Sequence, residues 1–260
     1  GLLYNLAAIN NIHPTYIQEM LVEGRYSNKE ILKAIDFMAP LNTKHYDKDL
    51  LLHAQGNTKN KGSWNAKDWC LGKEVLILGS GKSLNIYQDA IIQYIELHQP
   101  VVISINIKSS FPERFIDVYT SSNESKMLIE YDLYTQTEKP VVIPKLLLEK
   151  VLNKLVANIK ILKDYGLNIK ENTFISNEKE CTLPYELSIG YALSLAKIGK
   201  SREISLVGFD GYEVGDSRQD KTNELFALFR SQSTQTLTAL TPSTYLKILQ
   251  SSIYANKDIC

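Results

Sequence analysis

Cysteine, net charge and long apolar runs are all scarce in this chain of 260 residues, and each shortage excludes a class of protein. Cys70, Cys181 and Cys260 lie far apart with no CxxC spacing, which argues against a disulfide framework and against a structural zinc site. Lys+Arg and Asp+Glu each number 29, so no global field steers the chain onto nucleic acid or an anionic membrane. The longest apolar runs fall far short of the roughly 20 residues that a bilayer span needs. The first residues also lack the basic, apolar and small-residue regions of a signal peptide. A soluble cytoplasmic protein is expected, with neither nucleic acid nor a membrane span among its partners.

What is present is an ordinary globular composition, 44% hydrophobic and 22% charged, at a mass near the upper limit for one domain. The chain opens at Gly1 and passes directly into LLYNLAAINNIHP, so it is expected to belong to a longer protein. Leu2, Leu3, Leu6 and Ile9, then Tyr16, Ile17, Met20 and Leu21, recur at helical spacing and predict short helices over 2–11 and 14–22. Ser27 with Glu30 three residues on forms a capping box that opens a third helix through 31–38. Residues 1–40 thus read as a small helical appendage, 41–72 as a polar linker, and 73–260 as the main domain.

From Lys73 short β-branched runs alternate with helical stretches: EVLILGSG, IYQDAIIQYIELH and PVVISIN read as strand, helix, strand. The alternation continues through FIDVYTS, a helix near 122–131, PVVIP, amphipathic KLLLEKVLNKL, a weak strand near 173–175, a helix from Tyr185 to Ile198, and REISLVGFD. A helix TNELFALFRSQ and a short strand TLTAL follow. Continuous apolar strands separated by helices call for an α/β, Rossmann-like, mainly parallel sheet with helices on both faces and EVLILG as a central strand.

Polar residues collect where such strands end. Gly79, Ser80, Gly81 and Ser83 lie between the first strand and its helix, where glycines admit a ligand to the backbone and the hydroxyls can hold a phosphate. The loop reads either as a phosphate seat or as a tight turn. It is neither a Walker A loop, which would need glycine at Leu76, nor a GxGxxG fingerprint, which would need it at Leu84. Asn106 ends the second strand and could read a base or sugar, or merely terminate the strand; Thr120, Ser121, Ser122 and Asn123 extend the polar rim. Ser188 and Gly190 open a later helix, and Gly208 ends REISLVG, with Asp210 just beyond it. Asp210 is the candidate base, or else a residue of an Asp-Gly turn.

The ordered series VLILGSGKSL, VISIN and ELSIGYALSLAKIGKSREISLVGFDGY resembles the bacterial sialyltransferases that use CMP-sialic acid and the related proteins of unknown function from motility and polysaccharide loci. The resemblance covers about residues 73–215. It implies a cytidine nucleotide site built from Gly79, Ser80, Gly81, Ser83, Asn106, Ser188, Gly190 and Gly208, with Asp210 beside it, and a CMP-sugar as substrate in place of a resident cofactor. Those enzymes carry a histidine base downstream of the nucleotide motifs. Here His13, His45, His53 and His98 all precede Asp210, so the base would have to be Asp210, Asp216 or another carboxylate.

Residues 2–38 resemble the helical tail that follows the TIM barrel of 4-hydroxy-2-oxovalerate-type, HMG-CoA-lyase-like aldolases. This implies a barrel module, with lyase activity of its own, elsewhere in the same polypeptide. Leu2, Leu6, Ile9, Ile17 and Leu21 would then present an apolar face for docking or a homodimer. Two functions follow: a glycosyltransferase-like, nucleotide-sugar-binding domain of surface-polysaccharide biosynthesis, or a non-catalytic docking or ligand-sensing module of an aldolase.

Overall fold

A computed structural model describes residues 26–32, 61–107, 110–145, 156–213 and 215–255. The expected helices over 2–11 and 14–22, residues 33–38 of the third, and all of KLLLEKVLNKL but Lys145 lie outside the described residues, as do His13 and the apolar face of the appendage.

The central strand β1 (Glu74–Leu78) is buried along its whole length. It pairs in parallel with β2 (Val101–Ile105) on one side and with β9 (Glu203–Val207) on the other. Beyond β2 come β3 (Val118–Thr120), β4 (Val141–Ile143) and β5 (Leu162–Asp164); beyond β9 come β10 (Leu237–Ala239) and β11 (Leu249–Gln250). The sheet order is β11-β10-β9-β1-β2-β3-β4-β5, every pairing parallel. The Rossmann-like α/β expectation therefore holds, with EVLIL at the centre. The chain winds outward from β1 to β5, then returns to the far side of β1 with β9. The winding direction reverses between β1 and β9, which opens a crevice at the carboxyl ends of these strands.

Successive side chains of β1 point to opposite faces, and both faces are covered. Leu76 and Leu78 pack with Ile91, Tyr94 and Ile95 of α2 (Gln88–His98) and with Met127 and Tyr134. Val75 and Ile77 pack with Tyr191, Leu193 and Leu195 of α5 (Ser188–Ile198) and with Phe226 and Phe229 of α6 (Ser217–Gln232). Side chains of this size stabilise the fold by roughly 1.5–3 kcal/mol each when fully buried.

Several elements differ from the sequence reading. The first helix is split into α1 (Lys82–Ile86) and α2 at Tyr87, whose φ of −103° and ψ of 16° leave the helical region. The helix near 122–131 is α3 (Glu124–Ile129), with the Asn123 side chain accepting from the Lys126 N–H at 2.9 Å, followed by an unexpected α4 (Tyr131–Gln136). The helix expected from Tyr185 starts at Ser188, because Leu187 is extended. α6 starts before TNELFALFRSQ, at Ser217, because Asp216 caps it. The weak strand near 173–175 is β7 (Ile175–Ser176), part of an unexpected second sheet ordered β6-β8-β7, with β6 at Gly166–Ile169 and β8 at Glu180–Leu183. β6 pairs in parallel with β8, while β7 runs antiparallel to it.

The described end of the 41–72 segment is packed rather than free. Trp69 Nε1 donates to the Leu195 carbonyl at 2.8 Å, and the Trp64 N–H donates to Asp164 O at 2.9 Å along the β5 edge. Ala66 and Cys70 are buried. Two tryptophans thus anchor a polar stretch and cover an edge that would otherwise present unpaired backbone. In the appendage, the Ser27–Glu30 capping box forms: Glu30 N–H donates to Ser27 Oγ at 3.3 Å and Ser27 N–H to Glu30 Oε2 at 2.8 Å. Helical residues 28–32 follow, Ile31 enters the first core, and the Tyr26 hydroxyl donates to Glu130 Oε1 at 2.9 Å.

Burial pushes the Cys70 thiol up to about 12 and raises that of Cys181 as well. In a Cys260→Ser background, neither thiol should react with an aromatic disulfide reagent at pH 8 until denaturant unfolds the domain. Stoichiometric labelling of the native protein would contradict the packing described.

Candidate functional site

The crevice is built where the loops leaving β1 and β9 touch. Gly79 N–H donates to Val207 O and Gly81 N–H to Gly208 O, both at 2.8 Å, so the strand pairing continues past the strand ends. A Cβ on Gly79 would lie 2.4 Å from the Gly208 carbonyl oxygen, and Gly208 itself sits at φ +73°. Backbone contact between the loops explains both glycines.

Asp210 reaches from the β9 loop onto the β1 loop. Its Oδ2 accepts from the Ser83 N–H at 3.0 Å, and its Oδ1 accepts from the Ser83 hydroxyl. A Cβ on Gly81 would meet this carboxylate at 2.5 Å, so Gly81 is small because Asp210 lies over it. Ser83 Oγ and Thr241 Oγ1 are hydrogen-bonded at 3.0 Å, and Gly208 N–H donates to Thr241 Oγ1 at 3.1 Å. A carboxylate only accepts, so the one Ser83 proton goes to Asp210 and Thr241 must donate to Ser83. The result is a directed relay, Gly208 N–H to Thr241 to Ser83 to Asp210, tying together β9, the segment after β10, and the start of α1. The Asp210 carbonyl is fixed in turn by the Thr244 N–H at 3.0 Å and the Thr244 hydroxyl at 3.1 Å.

A second polar group lies beside it, past β2 and β3. Asn106 is 5% exposed and left-handed, at φ +62°. Its N–H donates to Thr120 O at 2.8 Å, and its Oδ1 accepts from the Ser121 hydroxyl at 2.8 Å. Its side-chain NH2 makes no hydrogen bond among the described residues. Ser122 N–H donates to Ser188 Oγ at 3.1 Å, which brings the uncapped start of α5 against the end of β3. Behind Ser121, the fully buried Tyr134 hydroxyl has no well-formed hydrogen bond among the described residues; burial and then the Glu130 charge hold its proton well above the ordinary tyrosine range.

The structure therefore brings Gly79, Gly81, Ser83, Gly208 and Asp210 together at the β1–β9 crevice, and Asn106 with Ser188 at the neighbouring strand ends. Ser83, expected on a phosphate, and Asp210, expected as a free base, are engaged with each other. Ser80 is exposed, and Gly190 serves helix packing, since a Cβ there would lie 3.0 Å from both Leu225 Cδ atoms. Thr241 and Thr244 were not singled out from the sequence. The rule that found Asn106, a polar residue just past a strand, also applies to Thr241 after TLTAL. Asp216 and Arg218 form a bidentate pair, with Nη2 to Oδ2 at 2.6 Å and the guanidinium 4.3 Å from the Tyr212 ring centroid.

No protein-family model matches the chain, and no curated protein matches it. The class is set by the fold: a Rossmann-like α/β domain with its polar crevice at the reversal between β1 and β9. Among the described residues no helix is long and apolar enough to cross a membrane, and no three His, Cys, Asp or Glu side chains form a metal-binding group.

Thr241→Val keeps the shape and removes the hydroxyl that orients Ser83. It should lower unfolding stability by about 1–2 kcal/mol in denaturant titration, and Thr241→Ser should recover most of that loss. The Asp216 carboxyl is held below its ordinary value, chiefly by hydrogen bonding to Arg218. Its contribution is therefore present above the unfolded-state value and lost as pH falls through the folded one. The stability gap between wild type and Asp216→Ala should be open at neutral pH and narrow below about pH 4.

Proposed function

We propose that this domain binds a nucleotide-activated sugar, a CMP-sugar, in the crevice between β1 and β9, as a glycosyltransferase-like component of surface-polysaccharide biosynthesis. The observation that carries the reading is Asn106. A buried asparagine in left-handed backbone, with its carbonyl spent on Ser121 and its NH2 unspent, is a built donor at the place where open α/β sheets hold ligands. Ser122, Ser188 and the uncapped start of α5 add hydroxyl and N–H donors for an anionic group. Asp210 adds a half-buried carboxylate past β9, on the other side of β1. Transfer needs a base for the acceptor hydroxyl, whose oxygen attacks the anomeric carbon as the bond from that carbon to the CMP phosphate oxygen breaks and CMP leaves. Each Asp210 oxygen, bonded once to Ser83, keeps one lone pair, which serves either as that base or as an acceptor for hydroxyls of the ligand.

A second reading, a ligand-sensing or docking module of an aldolase that binds without transfer, is supported by the engagement of both Asp210 oxygens with Ser83. A base tied to the scaffold at two points has less freedom to follow an acceptor.

Titration calorimetry with CMP, CDP, UDP, GDP, NAD and S-adenosylmethionine tests the proposal. CMP should bind most tightly, and Asn106→Ala should weaken it by about tenfold or more. Failure of every nucleotide to bind would reject it. Binding of a CMP-sugar with no release of CMP to any acceptor would select the sensing module.

A further inference from the structure

Resting on the nucleotide-sugar reading, we infer that Asp210 is a specificity residue for a vicinal diol and not the acceptor's base, held in register by Thr241 as a positioning residue. A carboxylate offers about four lone-pair sites, two on each oxygen. The protein fills one site on each: the Ser83 N–H takes Oδ2 and the Ser83 hydroxyl takes Oδ1. Asp210 accepts no further side-chain hydrogen bond among the described residues, and its side chain is only half-buried. One acceptor site per oxygen is left on a carboxylate that cannot rotate. Two adjacent hydroxyl groups match that arrangement, each donating to one oxygen.

The same geometry rejects a phosphate at this wall. The position over Gly81 is already occupied by a negative charge, and the Ser83 proton that could have met a phosphate oxygen points to Asp210. α1 is only five residues long and adds little dipole to offset the repulsion. The direction of the relay matters here. Because Asp210 can only accept, the Ser83 proton is spent on it, and Thr241, which accepts from the Gly208 N–H, has its own proton free to donate to Ser83. Thr241 thereby keeps Asp210 an acceptor with a fixed orientation.

A vicinal diol can come from the ribose or from the glycosyl unit, and the two sources separate by ligand. The affinities of CMP, 2′-deoxy-CMP and a CMP-sugar are measured by calorimetry on wild type, Asp210→Asn and Thr241→Val. If the ribose supplies the diol, wild type should bind 2′-deoxy-CMP about tenfold or more weakly than CMP, and Asp210→Asn should erase most of that difference. If the glycosyl unit supplies it, the CMP-sugar should exceed CMP in wild type, and that advantage should collapse in Asp210→Asn. Thr241→Val should shrink whichever discrimination is seen, and Thr241→Ser should restore it, which a loss of packing alone would not do. Discrimination that is the same in wild type and Asp210→Asn for both comparisons overturns the diol assignment while leaving nucleotide binding standing. Absence of CMP binding in wild type overturns the parent reading and this inference with it.

Discussion

The constraint on which the rest depends is the contact between the two loops that leave β1 and β9. These strands are neighbours in the sheet but far apart in sequence, and their exits lie so close that Gly79 has no room for a side chain, while Gly208 turns the chain at a positive φ of +73°. Asp210 then bonds across the join to Ser83, and Thr241 anchors Ser83 from behind. Backbone pairing, a carboxylate on a backbone amide and a two-hydroxyl relay all act at one place. Losing any one of them leaves a polar group of the others unpaired in a half-buried setting, where an unmet hydrogen bond costs about 1–3 kcal/mol.

That contact also determines what the crevice can do. One wall is acidic and committed to accepting hydrogen bonds; the other, with Asn106, Ser122, Ser188 and the start of α5, is built largely of donors. The strands that carry both groups run between the two cores that cover the faces of the sheet. The appendage touches this frame through Tyr26 and Glu130, at the junction of α3 and α4, and Tyr134 of α4 stands behind Ser121.

The architecture was legible because strands buried on both faces need mostly apolar runs, and EVLIL, VVISI and EISLV supply them with only Glu74, Ser104, Glu203 and Ser205 as polar members. The second sheet was not, because β6, β7 and β8 are two to four residues long and mix polar with apolar positions, leaving no clear period. The membership of the crevice was partly legible, since glycine and small polar residues just past a strand mark its carboxyl end. What each residue does there was less so. Ser83 and Asp210 stand 127 positions apart, and no local pattern announces that one spends its proton on the other. Gly190 shows the opposite case, a glycine in a motif-like setting whose smallness serves the packing of α5 against Leu225 of α6.

Asp210 closes the β1 loop from the β9 side, and backbone amide exchange reads that closure residue by residue. The Ser83 N–H, donated to the Asp210 carboxylate, and the Gly81 N–H, donated to Gly208 O, should exchange as slowly as amides inside β1, and Asp210→Ala should release Ser83 to the rate of an open loop. Rapid exchange at Ser83 in the wild-type protein, unchanged by Asp210→Ala, would contradict the account.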